Sequence, residues 1–377
     1  MPSAALSKSR LARLTMTKKS AHRSYWYRSD APISIGCASC PERSECGGQK
    51  LLAGGFDCLD NCCRSPESCD IVCPNGPDFV SRLREVGGLG LYGPHASPLP
   101  LDLHRYAPVL YNSTGRAVPF DAPAVVIKLY ALMSRSGEPR FLSRHELCEA
   151  FQIKLETQII LTGVARDSEV EKWWGLEAGG RRAMIKNFRD LGIEMITTPN
   201  FSLMLDRPRW DDLHAMKRIL IAHHEFIAAG QPAALHVNSR CDRDFQRWAD
   251  YVDAHDEVTH LAYEFATGPR HPERMIYHAN GLCRIARRAN RRIGLIIRGG
   301  SSLAPRLAEH FDVTIADTSL YEKSQHRRVC HLDEAGQRKW QFRQTPAGAP
   351  IDEIFAENLG ISLRWARDLI PERVLVD

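Results

Sequence analysis

Thr259-His260-Leu261-Ala262-Tyr263-Glu264-Phe265, then Arg274–Ala289, then Ile293-Gly294-Leu295-Ile296-Ile297 is the stretch that decides the fold. A short apolar run gives way to a segment with apolar residues at helical spacing, and a second short apolar run follows. Two strands joined by a helix of this length pair in parallel, because a crossover is needed to bring the chain back in the same direction. Neither run alternates strictly, as expected of strands covered on both faces.

The same unit repeats on either side. Strand-like runs stand at Pro108–Tyr111, Val125–Tyr130, Gln158–Thr162, Ile193–Thr197, Ala234–Val237, Thr259–Phe265, Ile293–Ile297 and Val313–Ala316. Amphipathic helical spacing covers Ser143–Phe151, Val170–Leu191, Leu213–Ala229, Asp242–Ala254, Arg274–Ala289 and Leu303–Phe311. Asp211-Asp212, Asp242 and Pro305 are start signals, and Gly192 is an αL stop. Eight strands alternating with helices predict an α/β fold, a (β/α)8 TIM-barrel-like domain, with an open doubly wound sheet as the alternative. Residues 112–122 hold no helix pattern, so the barrel is expected to be distorted or incomplete at its first βα unit.

Ahead of the barrel the composition changes three times. Residues 1–36 form a basic arm whose first 29 residues carry no acid, and Tyr25-Trp26-Tyr27 follow its basic run. Residues 37–75 are rich in cysteine, residues 76–105 are a connector with Gly93-Pro94 and Pro98-Leu99-Pro100, and residues 106–377 are the barrel with C-terminal helices. The composition is otherwise that of a globular protein, and no run of 18 apolar residues exists, so no membrane span is expected. The N-terminus lacks the apolar core of a secretory leader, which points to a cytoplasmic protein. The net charge of +5 permits an anionic partner without requiring one.

Of 12 cysteines, Cys37, Cys40, Cys46, Cys58, Cys62, Cys63, Cys69 and Cys73 lie in one short segment. In a chain without a secretory leader such a cluster favours metal ligation over disulfides. The Cys37-x2-Cys40 step lets two thiolates reach one ion from a tight turn. Cys63-x5-Cys69-x3-Cys73-Pro74 resembles the bacterial ferredoxin run, with Pro66 where that run has its second cysteine. The resemblance covers about a dozen residues and implies an iron–sulfur cluster, with zinc as the alternative. The missing ligand would have to come from Cys58, Cys62 or the first group. Cys148, Cys241, Cys283 and Cys330 are read as core residues.

In a (β/α)8 enzyme the active site lies at the carboxyl ends of the strands. Those ends carry Asn200, His236, Asn238, Glu264, Arg298-Gly299-Gly300-Ser301 and Asp317. Glu264 and Asp317, from alternate strands, are the expected acid–base pair, with His236 as a further base. Arg298 offers a planar fork to an oxyanion, and Gly299, Gly300 and Ser301 offer backbone N–H groups to a phosphate. Asn200 and Asn238 complete the expected substrate contacts. Arg284, Arg287, Arg288, Arg291 and Arg292 are read as complements to a helix C-terminus. Lys323, His326, Arg327 and Arg328 add positive charge after the last strand.

Two functions follow. One is a metal-containing barrel enzyme acting on a phosphorylated or nucleic-acid substrate. Its reaction would be nucleobase or glycosidic-bond chemistry of the kind tRNA-guanine transglycosylase-like barrels perform, an analogy of architecture only. The other is a non-catalytic component that binds DNA or RNA through the basic arm and cysteine module. Anaerobically purified protein is expected to carry iron and sulfide and to show a broad band near ~400 nm, as thiolate-ligated clusters do. Zinc in its place selects the alternative, and a preparation with neither metal removes the metal reading.

Overall fold

The computed structural model describes residues 82, 84–204, 209–267 and 271–370. The basic arm and all eight clustered cysteines lie outside the described residues. The chain divides into two compact units. The first takes in the residues up to Leu91 together with Ser202–Arg218 and Asn238–Arg247, and the second takes in all the rest.

In the first unit, buried polar side chains find partners. Asp212 and Arg240 form a buried ion pair. His214 Nε2 meets Glu85 at 3.0 Å, and Lys217 donates to the Gly90 carbonyl at 2.8 Å. Arg247 does the same to Leu89 at 2.6 Å.

The second unit holds the barrel. Its strands are β1 (Tyr106–Leu110), β2 (Ala124–Lys128), β3 (Gln158–Thr162), β4 (Met195–Thr197), β5 (Ala233–His236), β6 (His260–Glu264), β7 (Gly294–Arg298) and β8 (Asp312–Asp317). All pair in parallel, and the sheet closes with β8 on β1. The expected (β/α)8 architecture is the one present. Helices α1 (Arg144–Phe151), α2 (Asp167–Trp174), α3 (Glu177–Asp190), α4 (Arg209–Ala228), α5 (Asp242–Ala254), α6 (Pro272–Ala289) and α7 (Ala304–Ala308) fill the crossovers. Ser143 caps α1 by accepting from the Glu146 N–H. The periodicity over residues 170–191 belongs to two helices rather than one, because Gly175 ends α2 and Glu177 turns to a positive φ. Residues 303–311 likewise shorten, with a 3-10 turn over Ser301–Leu303 ahead of α7.

One core cluster runs through the barrel with members from every strand: Ala107 and Val109, Ala124 and Val126, Ile160, Met195, Ala234, Ala262, Ile296 and Ala316. Five of these ten are alanine. Small side chains let eight strands close around a filled centre. Of the four scattered cysteines, Cys148, Cys283 and Cys330 are buried and Cys241 is half-buried.

No helix joins β1 to β2, as the sequence indicates, yet the strands still pair, Val109 beside Val126 and Leu110 beside Ile127. A helix from the other end of the chain meets the link instead. After β8 come α8 (Ser319–Gln325), an antiparallel hairpin of β9 (Arg328–Leu332) and β10 (Arg338–Phe342), and α9 (Asp352–Leu369). The Asp352 carboxylate accepts from the N–H groups of Ala117 and Val118, at 2.9 and 3.1 Å. Phe355 packs on Phe120 with ring centroids 4.2 Å apart and planes tilted by 39°. Arg116 lies against both rings and donates to the carbonyls of Asn112, Phe151 and Gln152. Phe355 is fully buried. Phe355→Ala should cost about 3–5 kcal/mol by cavity formation, read in urea unfolding. A cost under about 1 kcal/mol would show that α9 does not hold the β1–β2 link.

Candidate active site at the barrel mouth

Side chains two residues apart on a strand share a face. Stepping two residues toward the carboxyl end from the core cluster therefore names the next set of inward side chains. Val109 leads to Tyr111, Val126 to Lys128, Ile160 to Thr162, Met195 to Thr197, Ala234 to His236, Ala262 to Glu264, and Ile296 to Arg298. The change from apolar to polar is complete within one step. This polar ring is the mouth of the barrel.

Part of the ring serves the backbone. Thr162 Oγ1 accepts from the Val164 N–H at 3.2 Å and Thr197 Oγ1 from the Gly163 N–H at 3.0 Å. Lys128 pairs with Glu169 at 3.5 Å. The charged centre is Glu264, placed beside Arg298 by the β6–β7 register, with Oε2 3.0 Å from Nη1. The other carboxylate oxygen accepts from the Ala266 N–H at 2.6 Å. Burial raises the Glu264 pKa, and Arg298 opposes that shift. Arg298 Nε has no hydrogen-bond partner among the described residues.

His236 lies on the same inner face and is 2% exposed. Neither of its ring nitrogens makes a hydrogen bond of normal geometry among the described residues, although the backbone of Ala262 lies close enough to oppose part of its pKa shift. Burial, with Arg298 adding to it, lowers its pKa to about 3, so the ring is neutral at physiological pH. Tyr111 borders the same centre: burial raises its phenol and Arg298 opposes the shift. His223 shows that an orphaned histidine alone does not define a site. It too is buried with both nitrogens unpartnered and a pKa lowered to about 3, but it sits on α4 rather than on a strand. His236 differs by facing a buried ion pair inside the barrel.

The structure brings Glu264, Arg298 and His236 together, and it does not bring Asp317 to them. Asp317 follows Ala316 and therefore faces away from the lumen, as Tyr106 does beside Ala107. There its oxygens accept from Tyr106 at 2.6 Å, Arg338 at 2.5 Å, and the Ser319 N–H and hydroxyl at 2.9 and 2.6 Å. Burial tends to raise its pKa, but Arg338, Ser319 and Tyr106 outweigh that and the net shift is downward. Arg338 comes from the hairpin and stacks on Trp365 at 3.9 Å.

Of the remaining expected contacts, Asn200 follows the carboxyl end of β4, and Gly299, Gly300 and Ser301 follow that of β7. The Asn200 N–H donates to the Gly163 carbonyl at 3.1 Å. Asn238 belongs to the first compact unit. Gly299 and Gly300 have φ of +73° and +62°, and a Cβ on either would lie within 3 Å of Ala266 or Phe265. Their glycine identity is therefore explained by the close approach of the β6 loop. Ser301 opens the 3-10 turn ahead of α7, which is too short to present a strong dipole. Tyr111 and Arg338 were not singled out in the sequence. Two-residue spacing from Val109 finds the first, whereas no local signal links Arg338 to Asp317.

Fold and mouth together define a (β/α)8 protein with a polar, charge-paired centre at the carboxyl ends of its strands. No protein-family model matches the chain, and no curated protein resembles it in sequence to a significant degree.

Because Asp317 is held below its unfolded pKa of about 3.9, its contribution to stability is present above that value and fades as pH falls through the folded value. Wild-type unfolding free energy should therefore drop more steeply between pH 5 and 2.5, as roughly set by that reference value, than that of Asp317→Asn. Asp317→Asn should lose about 3–5 kcal/mol at neutral pH by leaving Arg338 unpaired. Parallel pH curves for the two proteins would remove Asp317 as the titrating anchor.

Proposed function

We propose that the protein is a barrel enzyme that binds an anionic substrate on Arg298 and moves a proton with Glu264. The observation that carries this reading is the fully buried His236, with no hydrogen bond of normal geometry on either ring nitrogen, beside the Glu264–Arg298 pair. A folded chain leaves buried polar atoms without partners at a cost of about 1–3 kcal/mol each. A ligand that supplies the missing partners accounts for that cost.

The steps follow from the electrostatics. An anionic oxygen arriving at Arg298 competes with Glu264 for the guanidinium. Glu264 then loses the interaction that holds its pKa down while burial continues to raise it, so it takes up a proton. It becomes a general acid next to the bound anion, the protonation state needed to protonate a leaving group. His236 stays neutral and offers one N–H and one lone pair, orienting the substrate without adding charge. Tyr111 adds a hydroxyl at the rim.

The substrate class is a phosphorylated molecule, with nucleic acid included. Hydrolytic departure of a nucleobase or other leaving group from a sugar, with the Glu264 proton going to the leaving group and water adding to the sugar carbon, is the reaction that a lone general acid fits. A two-carboxylate version, which needs Asp317 free beside Glu264, receives no support from the geometry. The cysteine module, as an iron–sulfur or zinc site, and the basic arm, as a DNA or RNA contact, belong to the same proposal and rest on sequence alone. They also carry the second reading, a non-catalytic nucleic-acid binder.

Calorimetric titration with a nucleoside monophosphate separates these readings. Arg298→Ala should weaken binding by about 2–5 kcal/mol. Titrations in buffers of different ionisation enthalpy should show proton uptake in the wild type and none in Glu264→Gln. Unchanged affinity in Arg298→Ala would overturn the mouth as the binding site and leave the arm and module as the contact surface.

A further inference from the structure

A second cluster lies at the opposite end of β6, independent of the mouth. Glu257 is 1% exposed. Its ion-pair partners among the described residues are two histidines, His255 at 2.6 Å and His95 at 3.8 Å. Arg291 interacts with Glu257 electrostatically but forms its ion pair with Asp256, at 3.4 Å. The groups in direct ion-pair contact with the buried carboxylate are therefore two imidazoles, and imidazole and carboxylate are both metal-ligand types.

The geometry is arranged to receive a cation. The His95 and His255 rings stack with centroids 4.4 Å apart and planes 20° from parallel. Each turns Nδ1 toward a different oxygen of Glu257. One ligand atom from each of the three residues lies within 4.8 Å of the others. A zinc ion with bonds of about 2.0–2.1 Å needs ligand atoms about 3.3 Å apart in a tetrahedron. The His255–Glu257 contact must open by about 0.7 Å and the His95–Glu257 contact close by about 0.5 Å, and the His95 side chain is 72% exposed, so little resists its part of the movement. His255 is backed by its neighbours. Tyr251 stacks on His255 at 4.1 Å. Arg291 donates to the carbonyls of Val252, His255 and Val258 at 2.7 to 3.1 Å, which fixes the loop that carries both ligands.

We propose that His95, His255 and Glu257 form a site for one divalent transition-metal ion, with water completing the shell. Two imidazoles and a carboxylate form a borderline nitrogen–oxygen set, which suits zinc, cobalt or nickel over magnesium or calcium. The metal takes the place of the direct His255–Glu257 hydrogen bond. It ties the connector, through His95, to the loop that leads into β6. Glu264 is at the other end of that strand, so the role is structural.

Cobalt(II) titration of the full-length protein, with its native metal content intact, tests this. Cobalt bound by nitrogen and oxygen shows only weak visible ligand-field bands, whereas cobalt on cysteine adds strong near-ultraviolet thiolate charge transfer. One equivalent with ligand-field bands alone is expected in the wild type, displaced by zinc. His95→Ala removes only an exposed side chain and should bind that equivalent at least tenfold more weakly with an unchanged circular dichroism spectrum. Equal cobalt affinity in wild type and His95→Ala overturns the proposal, as does cobalt bound solely with thiolate charge transfer.

Discussion

In a closed parallel barrel each side chain faces either the lumen or the surrounding helices, and neighbours in sequence never share a side. That alternation decides the chemistry of this protein. Ala234, Ala262 and Ile296 fill the lumen, so His236, Glu264 and Arg298 face inward one step further along. Ala107 and Ala316 also fill the lumen, so Tyr106 and Asp317, each one residue away, face outward. One residue of offset separates a carboxylate in the mouth from one sealed behind the sheet.

The two carboxylates then diverge in ionisation. Both are buried, and burial alone raises a carboxyl pKa. Asp317 is surrounded by a guanidinium, a phenol, a hydroxyl and a backbone N–H, and its charge is stabilised beyond the desolvation cost. Glu264 has one guanidinium and the backbone N–H groups of Ala266 and Thr267, and desolvation prevails. A pair of acids pushed in opposite directions ordinarily marks an acid and a base sharing one site. Here the divergence separates a structural anchor from a candidate proton carrier, because the sheet stands between them.

The eight strands were legible because short apolar runs and amphipathic helices alternate, and the missing helix over residues 112–122 was legible for the same reason. Facing was not. All five residues of β6 are buried, as are the last five of β8. A strand buried on both sides shows no polar–apolar alternation, so nothing local reveals that Glu264 points inward and Asp317 outward. The Arg338 partner was hidden for another reason. It lies 21 residues beyond Asp317 on a hairpin, and only the folded chain brings them together. The hairpin itself had a signal that went unread, a Gly336 turn in which Asp333 accepts from the N–H groups of Ala335 and Gln337.

The C-terminal helix links these observations. Its first residues satisfy the β1–β2 link through Asp352 and Phe355. Its middle holds the hairpin, with Asn358 accepting from the Cys330 N–H at 2.6 Å and donating to the Arg328 carbonyl at 2.9 Å. Its last turns bring Trp365 against Arg338. The chain thus supplies after β8 the cover that is missing after β1, and the same segment delivers the cation that neutralises Asp317. With that carboxylate neutralised from outside, Arg298 is left to the inner ring, where Glu264 is its direct acidic partner among the described residues. The guanidinium thus acts on a carboxyl whose pKa burial already raises, and it opposes that rise.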